Sequence, residues 1–230
     1  NPLQTWYYDG DGDGFGNAFV SEVSCNQPTN YVLDGTDCDD SIFSLTNTCN
    51  TLLNLKLFVQ GYYTGQNQMN SLRTNPNNAN QTYVDDVTVE LRDAVTLELI
   101  DAKVTPLYPD GSVQCAFSSA LNGVYYISVK GSNSVKTWSA TPIAFGTATV
   151  DYDFSDAVNK AFGDNMIEVS SGVWALISGD INSDGNVDNA DFSSWETDAN
   201  EFAFGVYVTD LNGDGNVDNA DFSIWEANAN

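Results

Sequence analysis

The amino-acid sequence predicts a mainly β protein, in which an antiparallel β-sandwich is flanked by two small acidic modules. Three observations support this fold class. Residues 51–178 show the apolar–polar alternation of half-buried strands. Residues 179–230 contain an internal repeat, and both ends of the chain carry acidic residues without any Lys or Arg. We therefore expect three domains, at 1–50, 51–178 and 179–230.

The charge of the chain is strongly negative and unevenly distributed. There are 32 Asp plus Glu against seven Lys plus Arg, which gives a formal net charge of −25 over 230 residues. Nucleic-acid binding needs clustered basic residues, so this balance excludes it, and it disfavours basic-patch binding to membranes. A hydrophobic content of 42% argues against acidic disorder. The two end segments are therefore interpreted as cation-binding modules.

The absence of two kinds of sequence segment limits where the protein is expected to reside. No run of about 18 apolar residues is present, so no membrane span is predicted. The first residues, N-P-L-Q-T-W, lack the features of a signal peptide. The chain is expected to be either cytosolic or an already processed secreted product.

The N-terminal segment contains a loop with acidic side chains at alternate positions. EF-hand-type loops bind calcium through side chains at positions 1, 3, 5, 9 and 12 and the carbonyl at 7, with Gly at 6. Gly14 occupies position 6 here, but position 12 is Val20, so the last ligand must come from elsewhere. The predicted ligands are Asp9, Asp11, Asp13, the carbonyl of Phe15, Asn17, and one or more of Asp37, Asp39 and Asp40.

The pattern D-x-D-x-D-G-x-G-N, followed by C-x-Q-P, Y-V and D-C-D-D, resembles the thrombospondin type 3-like metal-binding repeats of bacterial surface proteins. The resemblance implies that Cys25 and Cys38 clamp a module too small for a core of its own.

Four cysteines and no histidine argue against zinc and allow two disulfides, for which three pairings exist. We favour Cys25–Cys38 within the N-terminal segment, and Cys49–Cys115 between that segment and the sandwich. The alternative is that these residues are buried free thiols.

The middle segment contains four runs in which every second residue is apolar. Turn sequences such as Pro109-Asp110-Gly111 and Asn122-Gly123 separate the runs, which is typical of an antiparallel sandwich. The predicted core faces are Leu53, Leu55, Leu57 and Val59; Val87, Val89 and Leu91; Val113, Cys115 and Phe117; and Tyr125, Ile127 and Val129. The stretch from V-E-L-R-D-A to L-N-G-V-Y-Y-I-S-V-K resembles the immunoglobulin-like, prealbumin-like sandwiches of Cna-B type in bacterial surface proteins.

Residues 64–82 form a polar stretch that we expect to be a functional or disordered loop, because long loops in compact domains are usually one or the other. It includes the triplet Asn80-Gln81-Thr82, a glycosylation acceptor by pattern. Asp40-Ser41-Ile42 resembles the short O-glycosylation motif of some bacterial secreted proteins. Asn80 and Ser41 are thus candidate modification sites.

The C-terminal segment repeats a twelve-residue pattern after thirty residues. Aligning 179–200 on 209–230 gives 16 identities in 22 positions. Both copies match the EF-hand-type loop, and ligands that are all hard oxygens favour calcium over zinc or copper. Calcium is also favoured over magnesium, because magnesium demands a stricter octahedral geometry. The predicted ligands are Asp180, Asn182, Asp184, the carbonyl of Asn186, Asp188 and Asp191, then Asp210, Asn212, Asp214, the carbonyl of Asn216, Asp218 and Asp221.

The duplicated D-x-N-x-D-G-x-x-D-x-x-D resembles the dockerin loop–helix repeat over 179–230. The resemblance implies a helix after each loop and pseudo-twofold packing. Apolar residues at helical spacing follow each loop, namely Phe192, Trp195 and Ala199, then Phe222, Trp225 and Ala229. Dockerins recognise cohesins through loop positions 10 and 11, but Asn189-Ala190 and Asn219-Ala220 stand there. The resemblance therefore implies that this segment binds calcium, but it does not imply that the segment binds a cohesin.

These features predict a non-enzymatic, extracellular structural or adhesion protein of the cell surface. Without His, the usual nucleophile–base pairs are absent, and the clustered acids are assigned to about three calcium ions. Such sites work at extracellular calcium levels. A sharper hypothesis is head-to-tail self-assembly into a filament, with the strand at 1–8 adding to a neighbour's sheet or packing on its own module. The alternative is a calcium-dependent module that docks another protein or a glycan.

Overall fold

The computed structural model describes residues 2–37, 51–75, 78–117, 123–146 and 149–229. The chain forms two compact units, one built mainly from Asn1–Leu52 and the other from Leu53–Cys115, Gly123–Ala144 and Thr149–Asn230. The sandwich segment and the C-terminal repeat thus lie in the same compact unit. The division into three modules by role stays a prediction.

The first unit contains a three-stranded sheet with the order β2-β1-β3. Its strands are β1 (Gln4–Tyr8), β2 (Asn17–Ser24) and β3 (Tyr31–Val32), and both pairings are antiparallel. Trp6 is buried and donates from Nε1 to Ser24 O at 3.1 Å. Because β1 is the central strand and Trp6 is buried within its own unit, packing on the module itself is favoured over addition to a neighbour's sheet.

The second unit contains two larger sheets. The first has the order β10-β9-β12-β13 with β14 also on β12, and the second has the order β11-β4-β15. Their strands are β4 (Thr51–Lys56), β9 (Asp85–Asp93), β10 (Leu99–Leu107), β11 (Ser112–Phe117), β12 (Gly123–Lys130), β13 (Thr137–Trp138), β14 (Ile143–Phe145) and β15 (Thr149–Asp153). The mainly β, antiparallel character predicted from the sequence is confirmed by the pairing of β9 with β10 and β12. The finer prealbumin-like assignment stays a prediction.

The apolar alternation places the predicted faces in the core. Leu53, Val87, Val89, Leu91 and Ile127 are fully buried, and the outward neighbours on β4 and β9 are more exposed. Each sheet thus buries one face, as in a sandwich. Tyr125 is an exception, because it is half-buried while Ser128 of the same strand is fully buried.

The polar stretch 64–82 is not a single loop, contrary to expectation. It contributes to two hairpins, β5 (Tyr63–Gly65) with β6 (Gln68–Met69), and β7 (Arg73–Asn75) with β8 (Asn78–Tyr83). The first hairpin turns through Gln66 and Asn67, both at positive φ (53° and 57°). Gln-Asn is not the usual Asn-Gly signal for such a turn, which explains why the sequence pattern missed it.

Two α-helices, α1 (Asn189–Asn200) and α2 (Asn219–Asn228), follow the two repeated loops as predicted. They are preceded by two 3₁₀ turns (Val158–Lys160 and Phe162–Asp164) and by the hairpin of β16 (Ile167–Ser170) with β17 (Val173–Ala175). In the described part of the chain, neither helix has the length and apolarity needed to cross a membrane.

A charge cluster on the first large sheet is centred on Glu90. Its Oε2 accepts hydrogen bonds from Arg92 Nε at 2.7 Å, Lys136 Nζ at 2.6 Å and Ser128 Oγ at 3.1 Å. Burial alone would raise the pKa of Glu90, but the hydrogen bonds and charges of Arg92 and Lys136 outweigh burial and lower it to about 2. The cluster therefore stabilises the folded state while Glu90 is ionised.

Replacing Glu90→Gln should lower the free energy of unfolding at pH 7 by about 1–2 kcal/mol, because the two cations lose their shared acceptor. The folded-state pKa lies below the ordinary 4.5, so the contribution is present above pH 4.5 and lost as the pH falls towards 2. Urea denaturation of both proteins between pH 7 and pH 3 measures this difference. Asp101→Asn, which removes the partner of Lys103 at 3.3 Å, is the control and should have a smaller effect. A pH-independent difference would contradict the assignment.

Candidate metal-binding loops

Three twelve-residue loops share one local structure. We call them loop I (9–20), loop II (180–191) and loop III (210–221). In each, the position-1 carboxylate accepts the N–H of the glycine at position 6, an arrangement that curls the chain around the acidic side chains. The pairs are Gly14 N to Asp9 Oδ2 at 3.2 Å, Gly185 N to Asp180 Oδ2 at 3.1 Å, and Gly215 N to Asp210 Oδ2 at 2.9 Å.

The same agreement extends along each loop. The N–H of position 5 donates to the side chain of position 3, and the N–H of position 7 donates to the side chain of position 5, at 2.8–3.0 Å throughout. Positions 4 and 6 both have positive φ. The values are 82° and 96° for Gly12 and Gly14, 68° and 93° for Ser183 and Gly185, and 69° and 90° for Gly213 and Gly215. Loop I is thus built like the repeated loops up to position 7.

The ends of loops II and III are fixed by the helices that follow them. Asp188 at position 9 is the N-cap of α1, and its Oδ1 accepts the N–H of Ala190 at 2.8 Å. Asp191 at position 12 returns from the first turn and accepts the N–H of Asp188 at 2.9 Å, which completes a capping box. Asp218 and Asp221 repeat this arrangement. The predicted ligand positions 9 and 12 are therefore held together.

Buried oxygens face into two of the loops. Asp180 has 1% of its surface exposed, and its Oδ1 finds no hydrogen-bond donor among the described residues. In loop I, Asp11 Oδ2 is in the same situation. One carboxylate oxygen from each of Asp9, Asp11 and Asp13 lies within 4.8 Å of the others. Buried polar atoms are normally hydrogen-bonded, so an oxygen-ligated cation fits these positions.

The electrostatics of the loops agree with that fit. Burial raises the pKa of Asp210 to about 6, and the nearby carboxylates of Asp221 and Asp214 add to this shift. Burial followed by the charge of Asp191 likewise raises the pKa of Asp180. In contrast, the N–H of Asn186 lowers the pKa of exposed Asp184. The position-1 carboxylates of loops II and III are thus costly to ionise, which a bound cation would offset.

Loops II and III are joined through an aromatic cluster formed by one Phe and one Trp from each helix. The ring centroids of Phe192, Trp195, Phe222 and Trp225 lie 5.2–6.0 Å apart. Trp195 Nε1 donates to Asp218 O at 3.2 Å, and Trp225 Nε1 donates to Asp188 O at 3.0 Å. Each helix therefore holds the cap residue of the opposite loop. The predicted mutual packing of these residues is present.

Loop I ends differently, as its sequence indicated. Position 12, Val20, lies on β2 and is exposed. Asp37 forms a parallel bridge with Asn17 at position 9, and its N–H donates to Gly16 O at 3.1 Å. Of the three candidates for the missing ligand, Asp37 is thus placed beside the loop. Asp39 and Asp40 lie outside the described residues.

The remaining predicted sites are only partly covered by the structure. Cys25 is exposed and Cys115 is buried, and neither forms a disulfide with another described residue. Their predicted partners, Cys38 and Cys49, lie outside the described residues, as does Ser41, so the pairing and that modification stay predictions. The backbone of Asn80 lies in β8, but its side chain is not described.

The sandwich segment contacts loop III, which no sequence pattern predicted. Asn70 Nδ2 donates to Asn212 O at 2.9 Å, and Asn133 Nδ2 donates to Val208 O at 3.1 Å. Asn70 lies within the polar stretch 64–82, and the polar composition of that stretch was the one feature of the sequence that indicated a role for it.

Loops II and III provide a test of the backbone strain at position 4, which is Ser183 in loop II and Gly213 in loop III. Ser183→Gly should raise the free energy of unfolding by about 0.5 kcal/mol, because a left-handed conformation costs a side-chain-bearing residue more than glycine loses in entropy. Gly213→Ser should lower the free energy of unfolding by about 1–2 kcal/mol for two reasons. The left-handed conformation strains a serine, and the new Cβ would lie only 2.9 Å from Tyr62 Cδ1. Thermal unfolding of both variants measures the two effects. Equal shifts of the same sign would contradict this geometry.

No protein-family model and no curated protein matches the chain. The solved structures similar to it include two crystal structures of a type II cohesin–X-dockerin complex from Acetivibrio cellulolyticus. The C-terminal interface mutant has 17% identity over 78% of this chain and 95% of the other, with a TM-score of 0.43. The N-terminal interface mutant has 17% identity over 78% and 96%, with a TM-score of 0.41. At these TM-scores, the likeness assigns neither a family nor a function to the chain.

Proposed function

We propose that the chain is a calcium-stabilised, non-catalytic structural or adhesion protein of the cell surface, with one calcium ion in each of loops I, II and III. The observation that supports this most is the unpaired, buried Asp180 Oδ1 inside a loop whose geometry recurs twice more. The ligands offered are carboxylates, amide oxygens and carbonyls, the set that calcium prefers. Asp37 completes loop I.

An extracellular location follows from the same chemistry. Loops with several Asp and Asn ligands but without the bidentate Glu of position 12 suit calcium at about 10⁻⁴–10⁻³ M, the range of extracellular modules. At cytosolic calcium levels such loops would be empty, and their carboxylates would repel one another. Export of the chain thus belongs to the proposal.

We further propose that calcium-loaded copies associate with one another into a filament or matrix. Phe202 and Phe204 are 87% and 76% exposed on the segment between α1 and loop III. The segment is ordered by loop III itself, because Gly205 N–H donates to Gly215 O at 2.8 Å and Phe204 bridges to Asn216. Large exposed apolar residues mark contact surfaces. An ion in loop III would therefore fix the position of this exposed phenylalanine surface. Three bound ions would also change the net charge of the chain from −25 to about −19, which weakens the repulsion between copies.

A binding module that docks a different protein or a glycan is the second candidate. The same exposed Phe202 and Phe204 favour it, since an apolar surface accepts a foreign partner as well as a second copy. It differs from self-assembly in leaving the calcium-loaded chain monomeric.

Chelation should lower the thermal unfolding midpoint of the chain, because each site adds about 2.7 kcal/mol at a calcium concentration 100 times its Kd. Differential scanning calorimetry in millimolar calcium and in chelator measures the shift. Magnesium at equal ionic strength is the control and should restore little of it, because magnesium demands octahedral geometry and keeps its waters. Equal midpoints in calcium and chelator would refute calcium stabilisation.

Sedimentation velocity should show large species in millimolar calcium that return to monomer on chelation. The double variant Phe202→Ser, Phe204→Ser should remain monomeric while it binds the same number of ions. Val95→Ser, which removes an apolar side chain 89% exposed elsewhere on the same unit, should assemble like the wild type. A wild-type monomer in calcium would exclude self-assembly and leave the binding module.

A further inference from the structure

Loops II and III have nearly the same sequence but lie in different environments. In loop II, residues 182–186, which span positions 3 to 7, are all exposed. In loop III, Gly213 and Gly215 are buried and Asn212 is half-buried. The two loops share ten consecutive residues from position 5 onward, so their own sequences do not explain why Gly215 is buried and Gly185 is exposed. The difference comes from what covers loop III.

Residues 60–72 of the sandwich segment cover loop III. Asn70 Nδ2 donates to Asn212 O at 2.9 Å, so a sandwich residue fixes the backbone of position 3. Gly61 lies so close to the carbonyl oxygen of Leu211 that a Cβ at this position would overlap it. The ring of Tyr62 contacts Gly213 in the same way. Positions 2, 3 and 4 of loop III are thus packed against sandwich residues.

Buried polar side chains hold that contact in place. Asn133 is fully buried, and its Nδ2 donates both to Tyr62 Oη at 2.8 Å and to Val208 O at 3.1 Å, two residues before loop III begins. Thr209 is also buried and donates to Asp198 at 2.6 Å. Breaking a buried network of this kind costs the desolvation of its members. Loop III therefore cannot change conformation without disturbing Tyr62.

Among the described residues, none covers the corresponding part of loop II. Ser183 replaces Gly213 at position 4 and is exposed in a left-handed conformation, at φ 68°. The buried part of loop II is at its base, where Asp180 and Asp191 lie. Its ligands at positions 3 and 5, Asn182 and Asp184, face solvent. An ion there could leave by movement of the outer half of the loop alone.

We propose that the two loops have different roles, with loop III holding a slowly exchanging structural ion that is coupled to sandwich stability and loop II holding an exchangeable ion. This inference rests on the proposed calcium binding. Coupling is reciprocal, so the sandwich contacts that preorder loop III should raise its affinity, and the ion there should stabilise the sandwich. Loop II, which lacks these contacts, is then the site whose occupancy responds to changes in calcium.

The matched pair Asp184→Asn and Asp214→Asn tests the coupling. Both carboxylates are exposed at position 5 and accept the same hydrogen bonds from positions 3 and 7. In saturating calcium, Asp214→Asn should lower the unfolding midpoint of the whole unit and speed amide exchange at Leu91 and Ile127 in the sandwich core. Asp184→Asn should lower the midpoint by less, leave those amides unchanged and speed exchange within 181–187. Equal effects of the two substitutions would overturn the inference.

A second measurement leaves all predicted calcium ligands of loops II and III unchanged. In the Asp11→Asn variant, in which loop I is disabled, stopped-flow mixing of the calcium-loaded chain with a fluorescent chelator should resolve a fast and a slow release from loops II and III. Asn70→Ala should speed the slow release about five- to tenfold, since it removes one partly buried hydrogen bond to position 3. Asn54→Ala, which removes an amide bonded to Asp151 at 2.8 Å on the sandwich surface, is the control and should not change it. Two indistinguishable releases, unaffected by Asn70→Ala, would overturn the inference.

The outcomes separate this inference from the proposed function. If the wild type binds no calcium and its unfolding midpoint is the same in chelator, the proposed function fails. If the wild type is stabilised by calcium but the two position-5 variants behave alike, the inequality of the loops fails and calcium binding stands.

Discussion

Repulsion between neighbouring carboxylates is the constraint on which the ends of this protein depend. In loop I, oxygens of Asp9, Asp11 and Asp13 lie within 4.8 Å of one another. Two unit charges at that distance repel by about 3 kcal/mol at an effective dielectric constant near 20. A hydrogen bond to a charged group contributes about 1.5–3 kcal/mol, and each carboxylate has several neighbours. The backbone N–H groups of the loop can therefore shape the site but not neutralise it, whereas the proposed divalent cation would offset this repulsion.

The same constraint extends outward through the second unit. In loops II and III the acids at positions 9 and 12 also cap the helices, so loop geometry and helix geometry are set together. Each helix then holds the opposite loop through a Trp N–H, as Trp225 does with Asp188. Loop III in turn packs against Tyr62 of the sandwich unit. Neutralising the loops thus bears on the sandwich and on the exposed Phe204 beside loop III.

The alternation of apolar residues predicted the mainly β class because a strand has a strict two-residue period, as Val87, Val89 and Leu91 show. The spacing of acids predicted the loops because ligand geometry fixes it. The hairpin at Gln66 was missed because its turn lacks the residues that usually favour positive φ. The cover of loop III by Asn70 could not be predicted, since contacts between residues 142 positions apart leave no local pattern.

Counting bound ions by native mass spectrometry tests the central claim most directly. The chain, exchanged from millimolar calcium into volatile buffer, should carry three calcium ions, and Asp11→Asn should carry two because loop I is disabled. Glu226→Gln, which removes an exposed charge outside the loops, should still carry three. A chain that retains no calcium, or one that carries a broad distribution unchanged by Asp11→Asn, would contradict calcium binding at these three loops.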